Sequence, residues 1–221
     1  MNRQFEPSQF FLLEQFAHKA IFENCAYVWE ALTKLSAYLE SLPLGKIEAE
    51  VSPSAHLINP DLISIGSGTI VEPGVYIQGP CVIGSNCQIR HGAYIRGNVI
   101  VGDACVVGHD TEVKGSILLD RANASHFNYV GDSILGNGVN LGAGVKCANL
   151  KLDHAIVSFF FEGKRIDTGL KKLGSIIGDG AQLGCNSVCN PGTLIGKKTI
   201  IYPCVSVGGF VAEHSRIKKT K

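Results

Sequence analysis

The chain carries almost no net charge: 20 Lys and Arg stand against 19 Asp and Glu, leaving +1. That balance excludes the strong one-signed field that gathers nucleic acid or an acidic membrane surface, so neither is expected as a partner. No apolar run approaches the roughly 20 residues of a membrane span. The sequence has no CxxC, HxH or HxxxH spacing, so no metal site is expected. The N-terminal stretch MNRQFEPSQFFLLEQFAHKA holds Glu6 and Glu14 among its apolar residues and lacks a small-residue cleavage site. It reads as helix, not signal peptide, which predicts a cytoplasmic chain with its 8 cysteines reduced. At 45% hydrophobic and 18% charged residues, the chain is too apolar for disorder.

What is present is a period of six. Stepping by six from Ile65 gives Val71, Ile77, Ile83, Ile89, Ile95, Val101, Val107, Val113 and Leu119, all aliphatic, with Gly66, Gly84, Gly102 and Gly108 directly following four of these positions. Four residues past each aliphatic stands a small or β-branched residue, from Thr69, Val75, Cys81, Cys87, Ala93, Val99 and Cys105 to Thr111 and Ile117. A helix turns about 600° in six residues, so it would scatter these positions around its axis. An ordinary strand would repeat every two. One short strand and one turn per hexad, three hexads per coil, places the aliphatics in the lumen of a three-faced prism. Cys81, Cys87 and Cys105 then fill the small slot, and Cys147 and Cys189 fall on the lumen position.

The phase breaks after Leu119 and resumes at Leu135-Gly136, Leu141-Gly142 and Cys147. It breaks again over about 153–174, then returns at Ile177-Gly178, Leu183-Gly184, Cys189, Ile195-Gly196, Ile201 and Val207-Gly208. Both interruptions are expected to be loops leaving a continuous coil, and loops on a rigid scaffold are where chemistry is expected. Residues 8–41 read as two helices, with Leu13, Phe16, Ala20 and Ile21 on one face and Val28, Leu32, Leu35 and Leu39 on the other. They are expected to cap the open end of the coil or to make an oligomer contact. The basic run from His214 to Lys221 reads as a solvated tail. The division is therefore a helical segment over 1–45 and a coil over 46–221.

The hexad resembles the repeat of left-handed parallel β-helices, so the expected fold class is mainly β with that handedness. The stretch SHFNYVGDSILGNGVNLGAGVKCAN, Ser125 to Asn149, is more specific. It resembles the acetyltransferase domain of bacterial bifunctional N-acetylglucosamine-1-phosphate uridyltransferases and the β-helical domain of archaeal-type sugar-phosphate nucleotidyltransferases. The segment DTGLKKLGSIIGD, Asp167 to Asp179, extends the match toward the archaeal type. The likeness covers about 50–212 and contains no nucleotidyltransferase domain.

The resemblance implies roles residue by residue. His126 is the base that takes the proton of a sugar amine, for which an imidazole with pKa near 6.5 is suited. Asn149 binds the sugar near its amine, and the Ala143 N–H holds the thioester oxygen as it becomes an oxyanion. Tyr129 and Asn140 contact sugar and phosphate. Arg96, Lys114 and Lys172, or its neighbour Lys171, supply cations for an anomeric phosphate. Cys185 and Pro203 lie with Ala143 along the acyl donor, acetyl-CoA. Two positions depart from the bacterial pattern: Leu150 replaces a Tyr and Cys185 replaces a Ser. The implied function is acetyl-CoA-dependent N-acetylation of an amino-sugar 1-phosphate by a homotrimer. The alternative is a non-catalytic subunit serving a separate nucleotidyltransferase.

Overall fold

A computed structural model describes residues 3–218. The chain winds as a parallel β-solenoid with three flat faces of nine, eight and eight short strands. Each strand pairs in parallel with the one a full coil away: Ile65 lies beside Ile83 on the third face, Val71 beside Ile89 on the first, Ile77 beside Ile95 on the second. Winding starts at Ile47, which bridges to Ile65. The hexad aliphatics other than Leu119 fill the lumen together with Cys81, Cys87, Cys105, Cys147 and Cys189. Removing an aliphatic side chain of this size from water contributes about 1.5–3 kcal/mol, so the lumen column is the main source of stability. All 8 cysteines are free, with Cys185 and Cys204 exposed and Cys25 half-buried.

The first expected loop is not a loop. Residues 116–135 form one more coil in register, through Ser116–Leu118, Asn123–His126, Tyr129–Gly131 and Ile134–Leu135. Val107 pairs with Ala124, Val113 with Val130 and Leu118 with Leu135. Leu118, not Leu119, enters the lumen, while Leu119 and Ile117 pack outside it. The step from Val113 to Leu118 is one residue shorter than a hexad, and Gly115 makes the tight corner at φ +53°. Gly108 serves a different need, since a Cβ there would stand 1.9 Å from the Ser125 carbonyl of the next coil.

The second excursion is a true insertion. It carries an antiparallel hairpin, Ser158–Phe161 with Lys164–Asp167. Phe159, Val157 and Leu173 fold back on the outer surface of the third face. That surface, formed by Ile100, Ile117, Ile134, Ile176 and Leu194, is apolar and also takes the N-terminal segment.

The N-terminal segment therefore lies along a side of the prism and does not cap its open end. Only the second expected helix forms, at Glu30–Glu40. The first reduces to short turns at Pro7–Phe10 and Lys19–Phe22, joined by irregular chain. Tertiary bonds compete with the helix there. The Asp179 carboxylate accepts the Leu12 N–H at 2.7 Å, Asn137 Nδ2 donates to the Leu12 carbonyl at 2.9 Å, and the Asp179 N–H donates to Phe10 O. Phe10, Phe11 and Phe16 are all buried, which one helical face could not achieve. The basic C-terminal run is also partly structural, because Arg216–Ile217 is the last strand of the first face. Residues 219–221 lie outside the described part.

Candidate active site

The residues implied by the resemblance gather on two edges of the second face. His126, Ala143, Cys185 and Pro203 occupy successive coils at the corner between the first and second faces. Backbone bonds link them: Gly144 N–H to His126 O at 3.0 Å, Asn186 N–H to Ala143 O at 2.8 Å, and Cys204 N–H to Cys185 O at 2.9 Å. Coils stack about 4.8 Å apart, so this edge presents a linear track. Beside it runs a groove of about 490 Å³ lined by Asn140, Gly142, Leu183, Cys185, Ile201 and Pro203. Its apolar lining suits an alkyl-amide arm better than a charged group.

The loop bearing His126 is held by Asn128, a residue for which the resemblance implies no role. Asn128 is 2% exposed. Its Oδ1 accepts the His126 N–H at 3.2 Å, its Nδ2 donates to Gly142 O at 2.8 Å, and its own N–H donates to Thr111 Oγ1 at 3.2 Å. Asn128 therefore ties His126 to the start of the Gly142-Ala143-Gly144 turn. Between them Phe127 is forced to φ +39° and stands exposed. The His126 ring is exposed, tilts against Phe127 at 6.0 Å, and takes no hydrogen-bond partner among the described residues.

The other edge, between the second and third faces, collects Arg96, Lys114, Asp132 and Asn149. Lys114 Nζ lies 2.7 Å from Asp132 Oδ2, and Asn149 Nδ2 donates to that same oxygen. Tyr129 OH donates to Asn149 Oδ1 at 3.4 Å, and burial pushes the Tyr129 phenol above its usual pKa. Arg96 pairs with Glu112 at 2.7 Å, and this carboxylate raises the guanidinium pKa further. Asp132 and Glu112 were not foreseen as members of the site. Asp132 sits inside the quoted Tyr-Val-Gly-Asp motif, which was the available signal. Lys172, and not Lys171, lines the cavity next to Asp132.

Within one chain the two edges lie six positions apart along a coil, as from His126 to Asp132 or from Ala143 to Asn149, which is on the order of 15–20 Å of extended chain. Asn140, which the resemblance pairs with Tyr129 as a sugar and phosphate contact, lines the groove beside Cys185. Leu150 is exposed and bridges to Lys172.

The family described as the GMPPB C-terminal domain matches residues 77–162. A bifunctional sugar-1-phosphate nucleotidylyltransferase/acetyltransferase of Sulfurisphaera tokodaii is 41% identical over 86 residues, covering 39% of this chain and 21% of that protein. A bifunctional protein GlmU of Methanococcus maripaludis is 32% identical over 186 residues, covering 83% of this chain and 44% of its own length. The chain is similar to the bifunctional nucleotidylyltransferase/acetyltransferases. It spans less than half the length of these curated relatives. Among solved structures, the Francisella novicida UDP-N-acetylglucosamine acyltransferase superposes with a TM-score of 0.55 at 19% identity, over 76% of this chain and 67% of that one. The coil thus has the left-handed β-helix fold that the resemblance implies. Among the described residues no helix is long and apolar enough to cross a membrane.

Proposed function

We propose that this chain is an acyltransferase that moves the acetyl group of acetyl-CoA to the amine of an amino-sugar 1-phosphate. The observation that carries the reading is the track of His126, Ala143, Cys185 and Pro203 on one edge, beside an apolar groove. The thioester carbonyl is placed at the Ala143 N–H, where a backbone donor stabilises developing oxyanion charge. His126 takes the proton as the neutral amine attacks, and coenzyme A leaves as its thiol. Arg96, Lys114 and Lys172 hold the phosphate, and Tyr129 and Asn149 hold the sugar.

The groups on the two edges are brought together by a neighbouring subunit in a homotrimer. The third face is covered by the N-terminal segment and the hairpin, so subunits meet through the first and second faces. A nucleotidyltransferase is the class of enzyme that would use the product.

One observation favours the second reading, a non-catalytic subunit. Lys114 and Arg96 already have carboxylate partners, so a phosphate must compete with Asp132 and Glu112. A thiol-release assay with acetyl-CoA across amino-sugar phosphates decides between them. Acetyl-CoA-dependent release with one or more of these acceptors supports the transferase. Silence with all of them, on folded trimer, favours the subunit.

A further inference from the structure

The N-terminal helix Glu30–Glu40 lies outside the segment that resembles the acetyltransferases, yet it helps to build a cavity beside their motif. A hollow of about 190 Å³ is lined on one side by Leu32, Thr33 and Ser36 of this helix, and on the other by Asn98, Asp132 and Lys172. Asp132 is the carboxylate that receives Lys114 and Asn149, so the hollow opens on the second edge of the candidate site.

The polar groups facing it are mostly acceptors. Asn98 Oδ1 is buried and has no hydrogen-bond partner. An acceptor of this kind is costly to leave buried unless a donor reaches it. Thr33 Oγ1 spends its hydrogen on Glu30 O at 2.7 Å, and Ser36 Oγ spends its own on Glu40 Oε1 at 3.2 Å. Both oxygens keep lone pairs for a ligand. Asp132 adds a carboxylate. Lys172 is the one cation in this lining, and Leu32, Leu35 and Leu170 supply apolar contact. A ligand that satisfies this set must bring several O–H donors on a ring with apolar C–H faces, and can carry one anionic group toward Lys172.

We propose that the helix Glu30–Glu40 forms a wall of the acceptor site, and that Ser36, Thr33 and Asn98 read the hydroxyl groups of the acceptor sugar. The proposal rests on the transferase reading above. It makes these three residues specificity determinants contributed by, or packed against, a helix that lies on the outside of the coil.

The test is steady-state kinetics on the full chain with glucosamine 1-phosphate and acetyl-CoA. Ser36→Phe, on an exposed helix position, fills the hollow. Asn98→Gly removes the buried acceptor while tolerating the φ of +49° found there. Each variant is expected to raise KM for the sugar phosphate about tenfold or more, with kcat and the KM for acetyl-CoA near wild type. Ser36→Thr, which keeps the hydroxyl, is expected to retain a wild-type KM. Unchanged acceptor KM in both Ser36→Phe and Asn98→Gly, with an active wild type, overturns the wall and leaves the transferase reading intact. An inactive wild type that also shows no calorimetric binding of the sugar phosphate overturns both.

Discussion

Asp132 Oδ2 receives two donors at once, Lys114 Nζ at 2.7 Å and the side-chain amide of Asn149. A single carboxylate oxygen thus fixes a cation and an amide to which the proposed function gives different parts of the acceptor. The ion pair is about a fifth exposed on each side, which makes it less screened than a surface pair.

Asp132→Ala should therefore free both side chains. The expected result is a fall in kcat/KM for the sugar phosphate of about 10- to 100-fold, as for loss of a charged hydrogen-bond hub. Lys114→Ala should instead raise KM with kcat less affected. Equal effects of the two variants on kcat alone would contradict the hub role. Steady-state kinetics on both proteins checks it.

Gly108 and Gly163 offer a test of coil stacking. A Cβ at Gly108 meets the Ser125 backbone at 1.9 Å, whereas a Cβ at Gly163, in the hairpin, meets nothing. Gly108→Ala is expected to destabilise by about 2–4 kcal/mol through forced backbone displacement between coils. Gly163→Ala is expected to cost only about 1 kcal/mol through its positive φ. Thermal unfolding that ranks them in the opposite order would contradict the stacking of Asn123–His126 on Val106–His109.

His18 makes the attachment of the N-terminal segment pH-sensitive. Its ring packs edge-on against Phe16 and Tyr38, and Nδ1 lies 3.1 Å from Tyr38 Oη. Burial lowers its pKa below 6.5, against the weaker opposing pull of Asp103 and Asp120. A folded-state pKa below the unfolded one means the stability is present above about pH 6.5 and is lost as pH falls through the lowered value. The wild type should lose stability relative to His18→Phe as pH drops from 7 toward 5. Chemical denaturation of both proteins across that range measures the difference, and parallel curves would contradict it.

The lumen, the small-residue cysteine slot and the three-faced coil were legible because the hexad is imposed by geometry at every turn. The coil at 116–135 was not. Leu118 and Leu119 are both aliphatic, so the one-residue shortening at Gly115 was masked. Ala124, a lumen residue, has too small a side chain to mark a hexad aliphatic. The first N-terminal helix failed because Asp179 and Asn137, more than a hundred residues away, take the backbone groups of Leu12. The shared edge of His126, Ala143, Cys185 and Pro203 was not foreseen, because the resemblance implies their roles one by one and does not place them on one corner of the coil. Nor were the partners Asp132, Glu112 and Asn128, since each contact crosses between coils and depends on side-chain geometry that spacing does not encode.

In the proposed transfer His126 is the base that takes the proton of the acceptor amine. The direct measurement is formation of N-acetylated sugar phosphate, followed by mass spectrometry, for wild type and His126→Ala at saturating acetyl-CoA. The expected result is product from the wild type, a rate lower by about 10²–10⁴ in the variant, and unchanged acetyl-CoA binding, because the base touches the acceptor amine and not the donor. A His126→Ala protein that forms product at the wild-type rate would contradict it.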